Sequence, residues 1–417
     1  MRCTLYFKGE SASADHVAAN EFPPKVRDLI REKGFLPQQI FNCDETGLYW
    51  KRMPGRTFIA KEEKKAPGFK VAKERLTLLL CANASGTFRC KPMLVYKSEN
   101  PRVMKGKNKD HLPVFWRSNK TAWVTKTNFK EWFLKSFVPE VQLYLAKENL
   151  AFKILLLLDN CASHGDEVML AHPDVEICFL PPNTTSLIQP MDQSVIATFK
   201  SYYLRHLLQT MVRFVNQHRE CENFESENVV RSFWKKFSIL DCLGLIEKSW
   251  QEISNSTLNA SWSKLLPELV TSKESQNQSQ LLDHQIAIQN VINLSQEVGG
   301  EGFHDLRESE ILELVSPENE ELTVAEVAEM VIEEKTSSSD DEGDDNDELS
   351  KHFHSVSLKK IMDSLQDAIE EAIRFDPVMT RSLHFQHNCN IAVQIYEDLF
   401  KEYRRKIKQT QITDFFL

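Results

Sequence analysis

No apolar run in this chain reaches the roughly 20 residues that a membrane-spanning helix needs. Runs such as Ile154–Leu158 have the length of a buried strand. No secretory pattern follows Met1-Arg2-Cys3. The nine cysteines stand singly, without a Cys-x-x-Cys pair. That excludes a zinc knuckle and a disulfide framework, and it fits the reduced thiols of a cytosolic or nuclear protein. An overall excess of positive charge is also missing: 51 Lys and Arg face 60 Asp and Glu, a net charge of −9. Taken as a mean, that argues against a nucleic-acid partner.

The mean hides a division. Residues 51–150 carry 22 Lys and Arg against 8 Asp and Glu, whereas residues 301–350 carry 2 against 19. Phosphate binding depends on local positive density, so the acidic total does not exclude it. At 417 residues and 41% hydrophobic content, the chain is long enough for two or three domains with a sizeable core.

What the sequence does contain is three aspartates at the ends of strand-like runs or the start of a helix. They are Asp44 in Ile40-Phe41-Asn42-Cys43-Asp44-Glu45-Thr46-Gly47, Asp159 in Ile154-Leu155-Leu156-Leu157-Leu158-Asp159-Asn160, and Asp192 in Gln189-Pro190-Met191-Asp192-Gln193. Carboxylates distant in sequence can converge on two divalent metals about 4 Å apart, which is what in-line attack on a phosphodiester needs. Hard oxygen ligands select Mg²⁺ or Mn²⁺ over zinc. Glu45 points to the opposite sheet face if the strand continues.

These runs, with His164 and with Pro181-Pro182-Asn183-Thr184-Thr185-Ser186 ahead of Gln189, resemble the pattern of DDE-type transposases of the pogo/Tigger branch. The spacing of 32 residues between Asp159 and Asp192 is similar to that of the family. The resemblance covers about residues 10–215. It implies an α/β, RNase H-like DDE catalytic domain with a helical C-terminal extension, a nuclear protein, and DNA as substrate. It further implies a two-metal Mg²⁺ (or Mn²⁺) site held by Asp44, Asp159 and Asp192, with Asn160 and His164 supporting it. Some relatives are domesticated, which opens a second expectation: a catalytically silent protein associated with DNA or chromatin.

On this reading the chain divides as follows. Residues 1–20 resemble the linker after a helix-turn-helix module that is itself missing, and 21–215 form the DDE domain. Within it, strands are expected at Ile40–Asp44, Leu76–Ala82, Met93–Tyr96, Lys153–Asp159 and Val175–Leu180. Helices are expected at Pro24–Lys33, after a Thr127 cap, and from near Asp192 past Leu207. Residues 216–300 read as a helical extension, and 301–350 as an acidic linker too poor in apolar surface to fold. Residues 351–408 read as a short helical domain: 355–374 and 388–408 return to helical periodicity, with Leu358, Ile361, Met362, Leu365, Ile369 and Ile373 on one face of the first, suiting a hairpin or a homodimer interface.

Two charged or apolar features complete the reading. Lys51, Arg52, Arg56, Lys61, Lys64, Lys65, Lys70, Lys73 and Arg75 follow the first strand as candidate DNA-backbone contacts, continued by Lys91, Lys97, Arg102, Lys105, Lys107 and Lys109. The tail, residues 409–417, holds Gln409, Ile412, Phe415 and Phe416 in the form Gln-x-x-aliphatic-x-x-aromatic-aromatic. This resembles the motif that docks on the replication sliding clamp, PCNA. A single helical turn would present Ile412, Phe415 and Phe416 together to an apolar pocket.

DNA binding through the stretch 51–109 should weaken steeply between about 50 mM and about 300 mM salt. Fluorescence anisotropy showing no change over that range would count against those residues as the contact.

Overall fold

The computed structural model describes residues 14–51, 53, 75–160, 172–219, 226–271 and 276–315, together with positions 368, 369, 372, 385, 386 and 389. The chain forms two compact units, Met1–Ser338 and Ser339–Leu417. The described positions of the second unit are helical.

Six strands form one mixed sheet: β1 (Ile40–Tyr49), β2 (Arg75–Asn83), β3 (Met93–Tyr96), β4 (Phe115–Ser118), β5 (Ile154–Leu158) and β6 (Val175–Phe179). Their spatial order is β4-β3-β2-β1-β5-β6. The β1–β2 and β2–β3 pairs are antiparallel, while β1–β5, β5–β6 and β3–β4 are parallel. An antiparallel meander joined to parallel crossover strands is the RNase H-like α/β arrangement the sequence implied. Two expectations are extended. β1 runs to Tyr49 because its ladder with β2 continues to the Tyr49–Arg75 pair. β4, which the sequence reading did not include, forms the edge beside β3.

Alternation along the strands builds two layers. Phe41, Cys43, Leu79, Cys81, Met93, Val95, Ile154, Leu156 and Leu158 face one side. There they meet Phe129, Trp132, Phe133, Phe137, Val141 and Leu145 from α2 (Lys126–Trp132), a π-helical turn (Phe133–Phe137) and α3 (Val138–Lys147). The cap of α2 is Thr125, whose side chain accepts from the Asn128 N–H, two residues earlier than the sequence suggested. The opposite sheet face is covered partly by α1 (His16–Lys33), starting well before the expected Pro24. Asp15 caps its first turn by accepting from the N–H groups of Val17 and Ala18, and Gly34, at φ 64°, ends it. Ala19, Phe22 and Val26 bury its inner face.

That second face also carries α5 (Ile196–His218), which follows a short helical turn, α4 (Thr185–Ile188). Next come α6 (Ser226–Lys236), α7 (Ile239–Glu252), α8 (Asn255–Ala260), α9 (Gln276–Val298) and α10 (Glu308–Val315). Leu78 and Leu80 of the sheet, Phe199 of α5, Trp250 of α7 and Val291 of α9 share one continuous core. The β2–β3 turn is clamped by this layer. Arg89 donates to the Trp250 and Gln251 carbonyls and to Asn255. Gly86, at φ 74°, leaves no room for a Cβ, which would fall 2.1 Å from the Asn255 carbonyl oxygen. Among the described residues no helix is long and apolar enough to cross a membrane.

Asn259 is 2% exposed and fully satisfied: it donates to the Ala84 and Leu269 carbonyls at 2.7 and 3.0 Å and accepts from the Thr271 N–H and hydroxyl. Asn259→Ala should cost roughly 2–4 kcal/mol of stability, because its partners stay buried and unpaired. Urea unfolding measures this; a loss of a few tenths would show that the junction is not structural.

Candidate active site

The register of β1 against β5 brings the first two aspartates together. Asn42 lies beside Leu157 in the parallel pair. Two residues further along each chain, Asp44 and Asp159 leave neighbouring strands on the same face, the face that α5 covers. Asp44 is 9% exposed and accepts from the Glu45 N–H at 2.8 Å. Asp159 is half-buried just past the end of β5.

Asp192 arrives from the helical layer. It sits in a π-type turn, Met191–Val195, one turn ahead of α5 rather than on the first turn of the long helix. Within that turn the backbone leaves helical geometry at Gln193 (ψ 68°) and Ser194 (φ 76°). A non-glycine residue in the left-handed region is held there by its surroundings. The surrounding hold is visible: the Met191 N–H donates to Asn42 Oδ1 at 2.9 Å. The Asn42 Nδ2 in turn donates to the Leu157 carbonyl at 3.1 Å and to the Cys43 carbonyl at 3.3 Å. One wholly buried amide therefore joins all three segments that carry the aspartates.

The electrostatics follow from this packing. Burial first, then the charges of Asp192 and Asp159, push the Asp44 carboxyl well above its ordinary 3.8. The Gln189 side-chain amide and the Glu45 N–H act in the opposite direction. Gln189 is itself 1% exposed. Three hard-oxygen donors of like charge form a set suited in chemistry to Mg²⁺ or Mn²⁺. Their spacing is open: among the described residues no three His, Cys, Asp or Glu side chains stand close enough to hold a metal ion.

The other expected site residues are placed as follows. Asn160 is exposed beside Asp159, and His164 lies outside the described residues. Lys51 is half-buried, its Nζ 3.4 Å from the Trp234 carbonyl oxygen and 4.9 Å from the Trp50 ring centre. Arg75 corrects the reading of the basic stretch. It is 7% exposed, with its guanidinium carbon 3.3 Å from the Trp123 ring centre, so it offers no face to a phosphate. Arg52, Arg56, Lys64, Lys65, Lys70 and Lys73 lie outside the described residues, as do Gln409, Ile412, Phe415 and Phe416. Exposed Lys97, Arg102, Lys105 and Lys107 follow the carboxyl end of β3, the sheet end beyond which β5 delivers Asp159.

Sequence reasoning missed Asn42 and Gln189, although both stand inside the motifs that carry the aspartates. The available signal was an amide in an apolar strand run, Ile40-Phe41-Asn42-Cys43, where a buried polar group requires partners.

Residues 73–262 match the DDE superfamily endonuclease family, a span that includes Asp159 and Asp192. The chain is 33% identical over 274 residues to the Jerky protein homolog of Homo sapiens, covering 65% of this chain and 45% of that protein. It is 34% identical over 270 residues to Tigger transposable element-derived protein 7 of Homo sapiens, covering 63% and 48%. Against Tigger transposable element-derived protein 4 of Mus musculus it is 28% identical over 228 residues, covering 55% and 39%. The chain thus spans less than half the length of these relatives.

The folded chain binds the Asp44 proton more tightly than the unfolded chain does. Asp44 therefore costs no stability below about 3.8 and costs progressively more as pH rises from there through the folded value. Asp44→Asn should raise the Tm of the metal-free protein at neutral pH, and the difference should close as pH falls toward 3.8. Thermal melts across pH in a chelating buffer measure this; a lower neutral-pH Tm in the variant would show that the charge is not the cost.

Proposed function

We propose that this chain, which carries a DDE superfamily endonuclease domain with homologues among the Jerky and Tigger proteins of the pogo/Tigger family, is a transposase-derived nuclear DNA-binding protein. Its proposed chemistry is metal-dependent phosphodiester cleavage and strand transfer. The observation that carries the reading is that the β1–β5 register and the Asn42 amide bring the segments bearing Asp44, Asp159 and Asp192 to one sheet face. Carboxylates brought to one partly buried face are a donor set that a compensating divalent cation would suit.

In this reading Asp44, Asp159 and Asp192 would together hold the divalent ions. Two divalent ions there supply activation of a water or 3′-hydroxyl and stabilisation of the leaving oxygen. The protein's share is positional. Asn42 fixes the heights of β1, β5 and the Asp192 turn. Asn160 and His164 stand next to Asp159 in sequence as candidates to orient substrate. The exposed lysines and Arg102 beyond β3, with the residues 51–73, are the candidate backbone contacts.

A second reading takes its support from the open spacing of the carboxylates and from the tail pattern Gln409, Ile412, Phe415, Phe416. It is a catalytically silent, chromatin-associated protein that docks on PCNA, with the segment 351–408, helical in its sequence periodicity, as a homodimer surface.

One pair of assays separates them. Endonuclease function requires Mg²⁺- or Mn²⁺-dependent nicking of duplex DNA that falls at least about 10³-fold in Asp159→Ala. The silent reading requires no nicking above that variant, together with PCNA binding that disappears when Phe415 and Phe416 are both changed to Ala. Nicking unaffected by Asp159→Ala would remove the aspartate site from consideration.

A further inference from the structure

Gln189 has one hydrogen-bond partner fewer than its burial calls for. Its side chain is 1% exposed, and its amide N–H donates to the Asp44 carboxylate. The other half of the amide, Oε1, is buried and has no hydrogen-bond partner among the described residues. Buried carbonyl oxygens are nearly always paired, so an orphan beside a functional cluster calls for a physical reason.

The backbone shows that this placement is fixed. The Gln189 N–H donates to the Thr185 carbonyl at 2.9 Å and closes the α4 turn. Pro190 follows, which disfavours helical geometry at Gln189 and holds it extended at φ −69°, ψ 121°. The Gln189 carbonyl then accepts from the Gln193 N–H at 3.3 Å, at the entrance of the Asp192 turn. The side chain thus projects from a pinned backbone toward Asp44, three residues ahead of Asp192.

A carboxylate cluster brings more acceptors and cannot satisfy Oε1. What can is a donor that arrives with positive charge, and water carried on a divalent cation is such a donor. We propose that Gln189 is a positioning residue for cation binding at this site: its N–H orients the Asp44 carboxylate, and its Oε1 accepts a hydrogen bond from water on the incoming ion. This rests on the two-metal reading above. Supporting groups of this kind are typically worth 10- to 100-fold in metal affinity.

The test uses the full chain, Mn²⁺ as the probe, and calorimetric titration beside metal-free thermal melts. Gln189→Met preserves length and apolar bulk while removing both halves of the amide. It should bind Mn²⁺ about 10- to 100-fold more weakly, with a metal-free Tm equal to or above that of the parent, since the orphan acceptor is gone. Should the Met variant fail to fold, Gln189→Asn keeps the amide but withdraws it by one methylene, and the same fall in affinity is expected. Parent-like Mn²⁺ affinity in a folded variant overturns the inference and leaves the two-metal reading standing. A parent chain that binds no Mn²⁺, with Asp159→Ala equally silent, overturns the two-metal reading and this inference with it.

Discussion

The geometry of the site depends on the way Asn42 is satisfied. Its side chain is wholly buried, so every hydrogen bond it lacks would be missed at a cost of roughly 1–3 kcal/mol. It reaches the Leu157 carbonyl on β5 and receives the Met191 N–H from the turn that carries Asp192. A slip of β5 by one residue would turn Asp159 to the other sheet face and break the Leu157 bond as well. A displaced Met191 turn would orphan both a buried N–H and a buried amide oxygen. The same interaction that satisfies a polar group in the core therefore also sets the relative heights of three carboxylates.

That constraint works against electrostatics. Burial of Asp44, with the charges of Asp192 and Asp159 adding to it, raises its proton affinity and opposes the ionised site. The opposing force comes from the apolar layers. β5 is wholly buried along Ile154–Leu158, with alternate residues packed into different clusters on the two sheet faces. Strain collects in the same place: Ser194 keeps a positive φ two residues after Asp192. Burial on both sides of β1 and β5 supplies stability, and the site draws on it through like-charge crowding, an orphan acceptor and an unfavourable backbone.

The sequence makes some of this plain and conceals the rest for physical reasons. The central strands are legible because continuous apolar runs bounded by polar residues have few other fates, and Met93–Tyr96 falls where it was expected. The three aspartates are legible because each sits at the end of such a run or beside a proline-bounded turn. Partnerships are not. Asn42 meets residues 115 and 149 positions away, and nothing local to Ile40-Phe41-Asn42 states which. Charge counting fails for a related reason: Arg75 looks like its basic neighbours in sequence, yet strand pairing with Tyr49 and the Trp123 ring remove it from the surface. The start of α1 was hidden by Pro23 and Pro24, which read as a helix entrance, although Asp15 already supplies the cap.

The helices beyond α5 bear on the site more directly than their distance in sequence suggests. Trp262, 1% exposed, packs with Ile40, Leu155 and Leu157, the very residues that precede Asp44 and Asp159 on the same sheet face. The turn Ser261–Ser263 packs against Met191–Val195, so the Asp192 loop is braced from behind. The Trp250 Nε1–H donates to the Cys90 carbonyl at 3.0 Å and Arg89 returns a bond to the Trp250 carbonyl at 2.7 Å, which fastens the same helical layer to the β2–β3 turn. A sheet that must hold mutually repelling carboxylates cannot leave the loop of the third one free on its outer side. The region matching the endonuclease family, residues 73–262, thus includes both the Asp192 turn and the Ser261–Ser263 turn packed against it.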